Sequence, residues 1–289
     1  MPAVTKGSNT PGAARITAFG LLAVCALPLG ACDDGPSGPE QTDPAAFKWN
    51  APVSAPMTVF IRDANGSVEV KPATGGNVEV TASVTWRRGD PKKDLKFETN
   101  NSAQGVTICA LWGEGGSCEG SNYTVKGNKM FGRSRTDASV TFTVYVPTGV
   151  KVDIFTANGS IGVAATAPVK AQTLNGTVKV ATSVGPVDAE TVNGDVDVRM
   201  TTLGADGPVR AHSVNGSVAA YLPEKFDGTV DMRAVLGQAT SDFTGLTKED
   251  GEKKLTGVIG AGGRNIDLKT VTGSAALHKL KADGTPASP

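Results

Sequence analysis

The chain has 289 residues with 28 basic and 28 acidic side chains, so its formal charge is zero and it lacks the basic excess of a nucleic-acid binder. It is 39% hydrophobic but only 5% aromatic, and 36 residues are glycine. Its core must therefore be built from Val, Ala, Ile and Thr, which suits a thin β structure better than a thick globular one, because small β-branched side chains pack well on a pleated surface.

Residues 1–31 read as a processing segment, set apart from the fold. Lys6 and Arg15 make a basic start with no acidic residue, and the apolar run Ile16–Gly30 is too short to span a bilayer comfortably. It ends in Leu29-Gly30-Ala31-Cys32, which resembles the bacterial lipobox. The resemblance implies cleavage before Cys32 and a lipid on its sulfur, anchoring the chain on the extracytoplasmic side of a bacterial membrane; an ordinary secretory signal is the alternative. Loss of Lys6 and Arg15 leaves the mature chain with two more acidic than basic side chains. Asp33 and Asp34 resemble the signal that retains a lipoprotein in the inner membrane of enteric-type bacteria. Residues 32–55 contain the Pro-, Gly- and acid-rich stretch "DDGPSGPEQTDPAA" and predict a flexible tether.

Residues 56–280 predict one β-strand-repeat domain. "MTVFIRDANGSVEV" alternates apolar and polar residues around Asn65-Gly66, and "NVEVTASVTW" continues with period two. Residues 87–137 are polar and irregular, with "VTICALW" their clearest strand. Cys109 and Cys118 lie in this stretch, separated by eight residues of which three are glycine. In an exported chain such a pair predicts a disulfide, since two cysteines without a nearby His or third Cys make a poor zinc set. "SVTFTVYVPTGVKVDIFTANGSIGV" reads as two strands divided by Pro147-Thr148-Gly149. Residues 281–289, "KADGTPASP", predict a disordered tail.

Between these lies a repeat. Asn-Gly recurs at Asn158-Gly159, Asn175-Gly176, Asn193-Gly194 and Asn215-Gly216, at spacings of 17, 18 and 22 residues, with Thr272-Gly273 an imperfect further copy. Asn-Gly is the strongest short signal for a tight hairpin, whereas self-similarity at a fixed period marks a solenoid. Val169, Ala171 and Thr173 share a face that Val178 and Val180 continue, and this pattern fits either arrangement. The residues five before each Asn are Asp153, Lys170, Asp188 and Arg210, which alternate in sign. Stacked in register as parallel strands, each would neighbour an opposite charge about 4.8 Å away, and a slipped register would align like charges. This favours an all-β parallel solenoid with Asn-Gly corners, Gly supplying the positive φ; an antiparallel meander or sandwich is the alternative.

The stretch "VYVPTGVKVDIFTANGSIGV", the repeated "GPVxAxTxNGxVxV" and the closing "IGAGGRNIDLKTVTGSAAL" together resemble the bacterial putative-adhesin proteins with β-strand repeats, a domain of unknown function. The likeness runs over roughly residues 58–280. It implies a repetitive β-solenoid-like domain on secreted or membrane-attached chains, with no established catalytic residues.

Other motifs read more simply. Arg88-Gly89-Asp90 is a Gly-Asp turn before Pro91 rather than an integrin ligand. Asn65, Asn158, Asn175 and Asn215 each begin an N-x-S/T sequon through turn chemistry, not as glycan acceptors. "GVIGAGGRN" fits no phosphate-loop spacing and no following helix. His212 falls at an outward repeat position, and His278 is the only other histidine. Asp188, Glu190, Asp195 and Asp197 are the best candidates for chemistry or cation binding, yet Lys170, Lys179, Arg199 and Arg210 flank them as on an ordinary charged surface. No cofactor or metal is implied. The expected function is a non-enzymatic envelope lipoprotein, in the periplasm or at the cell surface, that presents the repeat domain for binding, adhesion or scaffolding. Its partners would be the membrane, through lipid on Cys32, and an envelope protein or polysaccharide. A regulatory lipoprotein contacting a membrane partner is the alternative, and a polysaccharide-active β-helix enzyme a lesser one.

Overall fold

Each Asn-Gly unit folds as two short strands that enter two different sheets. The computed structural model describes residues 38–113, 115–125, 136–165, 167–203 and 207–281. The N-terminal part holds β1 (Gln41–Pro52), β2 (Thr58–Arg62), β3 (Val68–Pro72), β4 (Asn77–Trp86), a single-turn helix α1 (Pro91–Asp94), β5 (Leu95–Ser102), β6 (Gly105–Trp112), β7 (Ser117–Glu119), β8 (Asn122–Thr124) and β9 (Ser139–Val146). The repeats supply β10 (Lys151–Asn158), β11 (Ile161–Ala165), β12 (Val169–Asn175), β13 (Val178–Thr182), β14 (Val187–Asn193), β15 (Val196–Met200), β16 (Val209–Asn215) and β17 (Val218–Pro223). The closing part adds β18 (Gly228–Leu236), β19 (Ala239–Ser241), β20 (Thr247–Glu249), β21 (Lys254–Ile259), β22 (Asn265–Thr272) and β23 (Ala275–Leu280).

The first strand of every unit joins one sheet, ordered β20-β21-β18-β22-β16-β14-β12-β10-β2-β6-β5, and the second joins the other, ordered β1-β4-β9-β3-β11-β13-β15-β17-β23-β19. We call these the front and back sheets. Through the repeats all neighbours are parallel, so the chain is an all-β, two-sheeted solenoid. The register is uniform: Val169, Val187 and Val209 align, as do Ala171, Ala189 and Ala211. These small side chains face inward and are buried together with Val178, Val196 and Val218 from the back sheet. Each fully buried Val stabilises the fold by about 1.5–3 kcal/mol, and the thin core needs nothing larger.

Polar groups at the corners form ladders of their own. Thr173, Thr191 and Ser213 stand in one buried line, and each hydroxyl donates to the Gly carbonyl of the preceding corner at 2.8–2.9 Å. Gly176 N donates to Asn193 O at 2.9 Å, and Gly194 N to Asn215 O at 2.9 Å. Outside, the amide of Asn175 donates to Asn158 Oδ1 at 2.9 Å, that of Asn193 to Asn175 at 2.7 Å, and that of Asn215 to Asn193 at 2.8 Å. The corner glycines Gly66, Gly159, Gly176, Gly194 and Gly216 have φ between 145° and 155°.

Three expectations need correction. Residues 32–55 are not all tether, because Gln41–Pro52 forms β1 and pairs antiparallel with β4. Phe47 and Trp49 point to the same side and pack on the core, and a register shift between Asp43 and Phe47 absorbs Pro44 on this edge strand. The stretch 87–137 is less irregular than expected, since its described residues between 91 and 124 form α1 and four strands. Ser139–Val163 contains three strands, since the Asn158-Gly159 corner divides β10 from β11.

Both ends depart from the parallel stack. β1–β4–β9 and β5–β6 are antiparallel at one end, and β18–β21–β20 at the other. Such segments terminate a solenoid whose last rung would otherwise expose unpaired backbone. The stack also leaves chain order: β22 lies between β16 and β18, so the Thr272-Gly273 copy occupies the rung after Asn215.

Candidate binding surface

The uniform register turns sequence columns into rows of side chains across the front sheet. Asp153, Lys170, Asp188 and Arg210 stand side by side on β10, β12, β14 and β16, and Asp267 on β22 continues the alternation. Two residues further along each strand lie Phe155, Gln172, Glu190, His212 and Lys269. The two rows are knitted together. Gln172 Nε2 donates to Glu190 Oε2 at 2.8 Å, His212 lies 3.8 Å from Glu190 and 3.2 Å from Asp267, and Lys269 bridges Asp267 at 2.7 Å and Asp231 at 3.2 Å. Partial burial raises the Asp188 carboxyl above the ordinary range, helped by the Glu190 charge and opposed by Arg210, Lys170 and His212. Hydrogen bonding to Asp267 holds the Lys269 ammonium above its usual value.

The four candidate acids do not converge. Asp188 and Glu190 face outward from the front sheet, and Asp197 lies on β15 in the back sheet. Asp195 sits at the corner between them, where its Oδ1 accepts the Ser217 N–H at 2.7 Å. His212 occupies the outward position aligned with Gln172 and Glu190, between two carboxylates. His278 is on the back sheet, stacked on Tyr221 at 5.0 Å and 3.2 Å from Asp242, with the Arg199 guanidinium 4.5 Å from the other side of the Tyr221 ring. Among the described residues no group of three or more His, Cys, Asp and Glu side chains is gathered to hold a metal ion.

Sequence reasoning missed a buried polar site at the N-terminal end of the front sheet. Cys109 on β6 is paired in a disulfide with Cys118, which folds the β7–β8 hairpin back over the sheet. Beneath it Arg62 is 2% exposed, bridges Asp153 at 2.9 Å and donates to the carbonyls of Asp153 and Gly120. The hairpin is pinned by Tyr123 Oη to Ala110 O at 2.7 Å, Asn100 Nδ2 to Cys118 O at 2.6 Å and Gly120 N to Thr107 Oγ1 at 2.9 Å. Asp63 is fully buried; its Oδ1 accepts from Ala64 N at 2.8 Å and Trp112 Nε1 at 3.0 Å. Burial pushes its carboxyl up to about 6, against those hydrogen bonds. Burial, and then the Asp63 charge, raise the Tyr123 hydroxyl. Only "VTICALW" and the cysteine pair hinted at this construction, because nothing in it repeats.

The remaining motifs resolve into backbone geometry. Asp90 caps α1, its Oδ1 accepting Lys92 N at 3.1 Å. The "GVIGAGGRN" glycines turn β21 into β22, with Ala261 N donating to Asp227 Oδ1 at 2.7 Å. The sequon side chains Asn158 and Asn175 are engaged in the corner ladder, and Asn65 donates to Ala138 O at 2.7 Å. Cys32, residues 1–31 and residues 282–289 lie outside the described residues, and with them the processing segment, the lipidation site and the tail expected from the sequence. No helix among the described residues is long and apolar enough to cross a membrane.

A solenoid of Asn-Gly rungs is thus the class of domain that the geometry defines. Residues 148–277 match the family described as Toastrack DUF4097. No curated protein matches the chain. Among solved structures, it is similar to a putative cell adhesion protein from Clostridium sporogenes ATCC 15579, at 10% identity and TM-score 0.42, over 84% of this chain and 100% of the other. It is also similar to a putative adhesin from Bacteroides fragilis NCTC 9343, at 14% identity and TM-score 0.30, over 85% and 99% of the two chains.

Proposed function

We propose that the chain is a non-enzymatic, lipid-anchored protein of a bacterial envelope, presenting its solenoid faces for binding or scaffolding. The observation that carries this reading is the short distance from lipobox to fold. Cys32 precedes the first residue of β1, Gln41, by nine positions, so the solenoid lies within about 30 Å of its anchoring residue even with the chain extended. The broad faces of its two sheets are the surfaces it would offer to envelope proteins or polysaccharide. Supporting the non-enzymatic reading, the outward carboxylates of the front sheet sit among cations on adjacent strands and share no site with Asp197 or His278.

The test is palmitate labelling and fractionation of the protein in its host envelope. Wild type should carry label and sediment with membranes, and Cys32→Ser should lose both properties. Equal labelling of the two would overturn the anchored reading.

A further inference from the structure

The Asn-Gly corners are also places where the chain can react with itself. Glycine has no side chain to hinder its amide nitrogen, so that nitrogen can attack the Cγ of the asparagine before it. The attack closes a cyclic succinimide and releases the side-chain nitrogen as ammonia. Water then opens the ring to aspartate, or to isoaspartate, whose main chain is longer by a methylene. The exchange takes up water, gives off ammonia and needs no other reactant. For the ring to close, the asparagine side chain must swing onto the glycine nitrogen, and that nitrogen must leave its own hydrogen bond.

The ladder opposes both movements, but not equally along its length. The glycine N–H groups are all engaged: Gly159 with Asn175 O at 2.8 Å, Gly176 with Asn193 O at 2.9 Å, Gly194 with Asn215 O at 2.9 Å and Gly216 with Thr272 O at 2.8 Å. The side chains differ. Asn175 and Asn193 each donate to the rung before and accept from the rung after. Asn158 accepts from Asn175 at 2.9 Å and donates to Ala64 O at 3.3 Å. Asn215 donates to Asn193 at 2.8 Å, but the strand on its other side places Thr272 in register, which has no amide to return the bond. The imperfect copy therefore leaves one exposed asparagine held from one side only. Asn65 is outside the ladder; it is half-buried, precedes the buried Gly66 and sets its amide on the fixed carbonyl of Ala138 at 2.7 Å.

We propose that Asn215 is a modification site, the place where this protein first deamidates, and that the change then passes along the ladder to Asn193 and Asn175. A carboxylate at position 215 accepts hydrogen bonds but cannot donate to Asn193 Oδ1. Asn193 is then held from one side, as Asn215 was. The solenoid thus ages from the rung of β16 toward that of β10. This goes beyond the envelope-binding reading and depends on neither lipidation nor a partner.

The test incubates the purified, folded full chain in mildly alkaline buffer and follows each site by peptide mass and isoaspartate detection. Trypsin cleaves after Lys170, Lys179, Arg199 and Arg210, so each ladder asparagine leaves in its own peptide. With one hydrogen bond fewer, Asn215 should react about two- to tenfold faster than Asn158, Asn175 or Asn193. Asn65 should stay among the slow sites. Thr272→Asn, which supplies the missing amide, should slow Asn215 by the same factor and make position 272 the fastest. Asn215→Ala should make Asn193 the fastest of the ladder sites that remain. In concentrated urea, where the ladder is gone, the wild-type sites should share one rate. Equal rates in the folded chain, an Asn215 rate untouched by Thr272→Asn, an Asn193 rate untouched by Asn215→Ala, or rate differences that survive in urea would each overturn the proposal. Urea midpoints of the variants separate a changed ladder from a lost fold.

Discussion

Replacing Gly176 by alanine should be among the most damaging single-methyl changes in this protein. Gly176 has φ +151°, and a Cβ built there runs into the carbonyl oxygen of Gly159 and approaches Ser160 N at 2.9 Å. Both are backbone of the rung below, so no flexible side chain can give way. An L-residue at such a φ costs about 1–3 kcal/mol. Relieving the overlap means parting two rungs, which stretches the bond from Thr173 Oγ1 to Gly159 O at 2.9 Å and that from Gly159 N to Asn175 O at 2.8 Å. Each loss is worth about 0.5–1.5 kcal/mol, so the whole change should cost about 2–6 kcal/mol. That is a large part of a typical stability of about 5–15 kcal/mol. The assay is urea unfolding compared with Gly75→Ala, because a Cβ at Gly75 meets nothing within 4 Å. Gly75→Ala should stay within about 0.5 kcal/mol of wild type. A Gly176→Ala midpoint equal to that of Gly75→Ala would refute the argument that backbone contact between rungs dictates glycine at the corners.

Lys170→Glu puts three like charges in a row with Asp153 and Asp188; it should cost less than about 1 kcal/mol, and the loss should shrink in molar salt, so a salt-independent loss would contradict the electrostatic account. Asp63 has a folded-state carboxyl raised from 3.8 to about 6, so the folded state favours its protonated form. The resulting penalty is full above the folded value and vanishes below the unfolded one, so stability from this residue should rise as the pH falls from about 7 to about 4, by up to about 3 kcal/mol. Urea unfolding of wild type and Asp63→Asn across that range should converge towards low pH; a constant difference would argue against a raised carboxyl. Maleimide should label neither Cys109 nor Cys118 without prior reduction, and mass spectrometry showing either adduct in unreduced protein would refute the disulfide clasp.

The repeat was legible because each rung states the same physics again. Alternation put Val169, Ala171 and Thr173 inward, Asn-Gly marked each corner, and the signs of Asp153, Lys170, Asp188 and Arg210 favoured parallel neighbours over hairpins. Hairpin and solenoid share that inward pattern, so the cross-strand charges carried the choice. The candidate surface was half legible: the charged column could be read, whereas the contacts of His212 with Glu190 and Asp267 arise only when β14, β16 and β22 lie side by side.

What the amino-acid order determined by itself was everything that recurs at a fixed spacing: the β class, the corners, the inward face and the in-register stack. Tertiary structure alone decided the events that happen once. β22 inserts between β16 and β18, β1 turns a Pro-rich stretch into an edge strand, and the disulfide hairpin buries Arg62 and Asp63. Asp195 and Asp197 leave the face of Asp188 because the corner between β14 and β15 carries them away from it. The physical reason is one of range: a repeat encodes its neighbours through local periodicity, but a single pairing between distant segments rests on complementary surfaces that no local pattern announces.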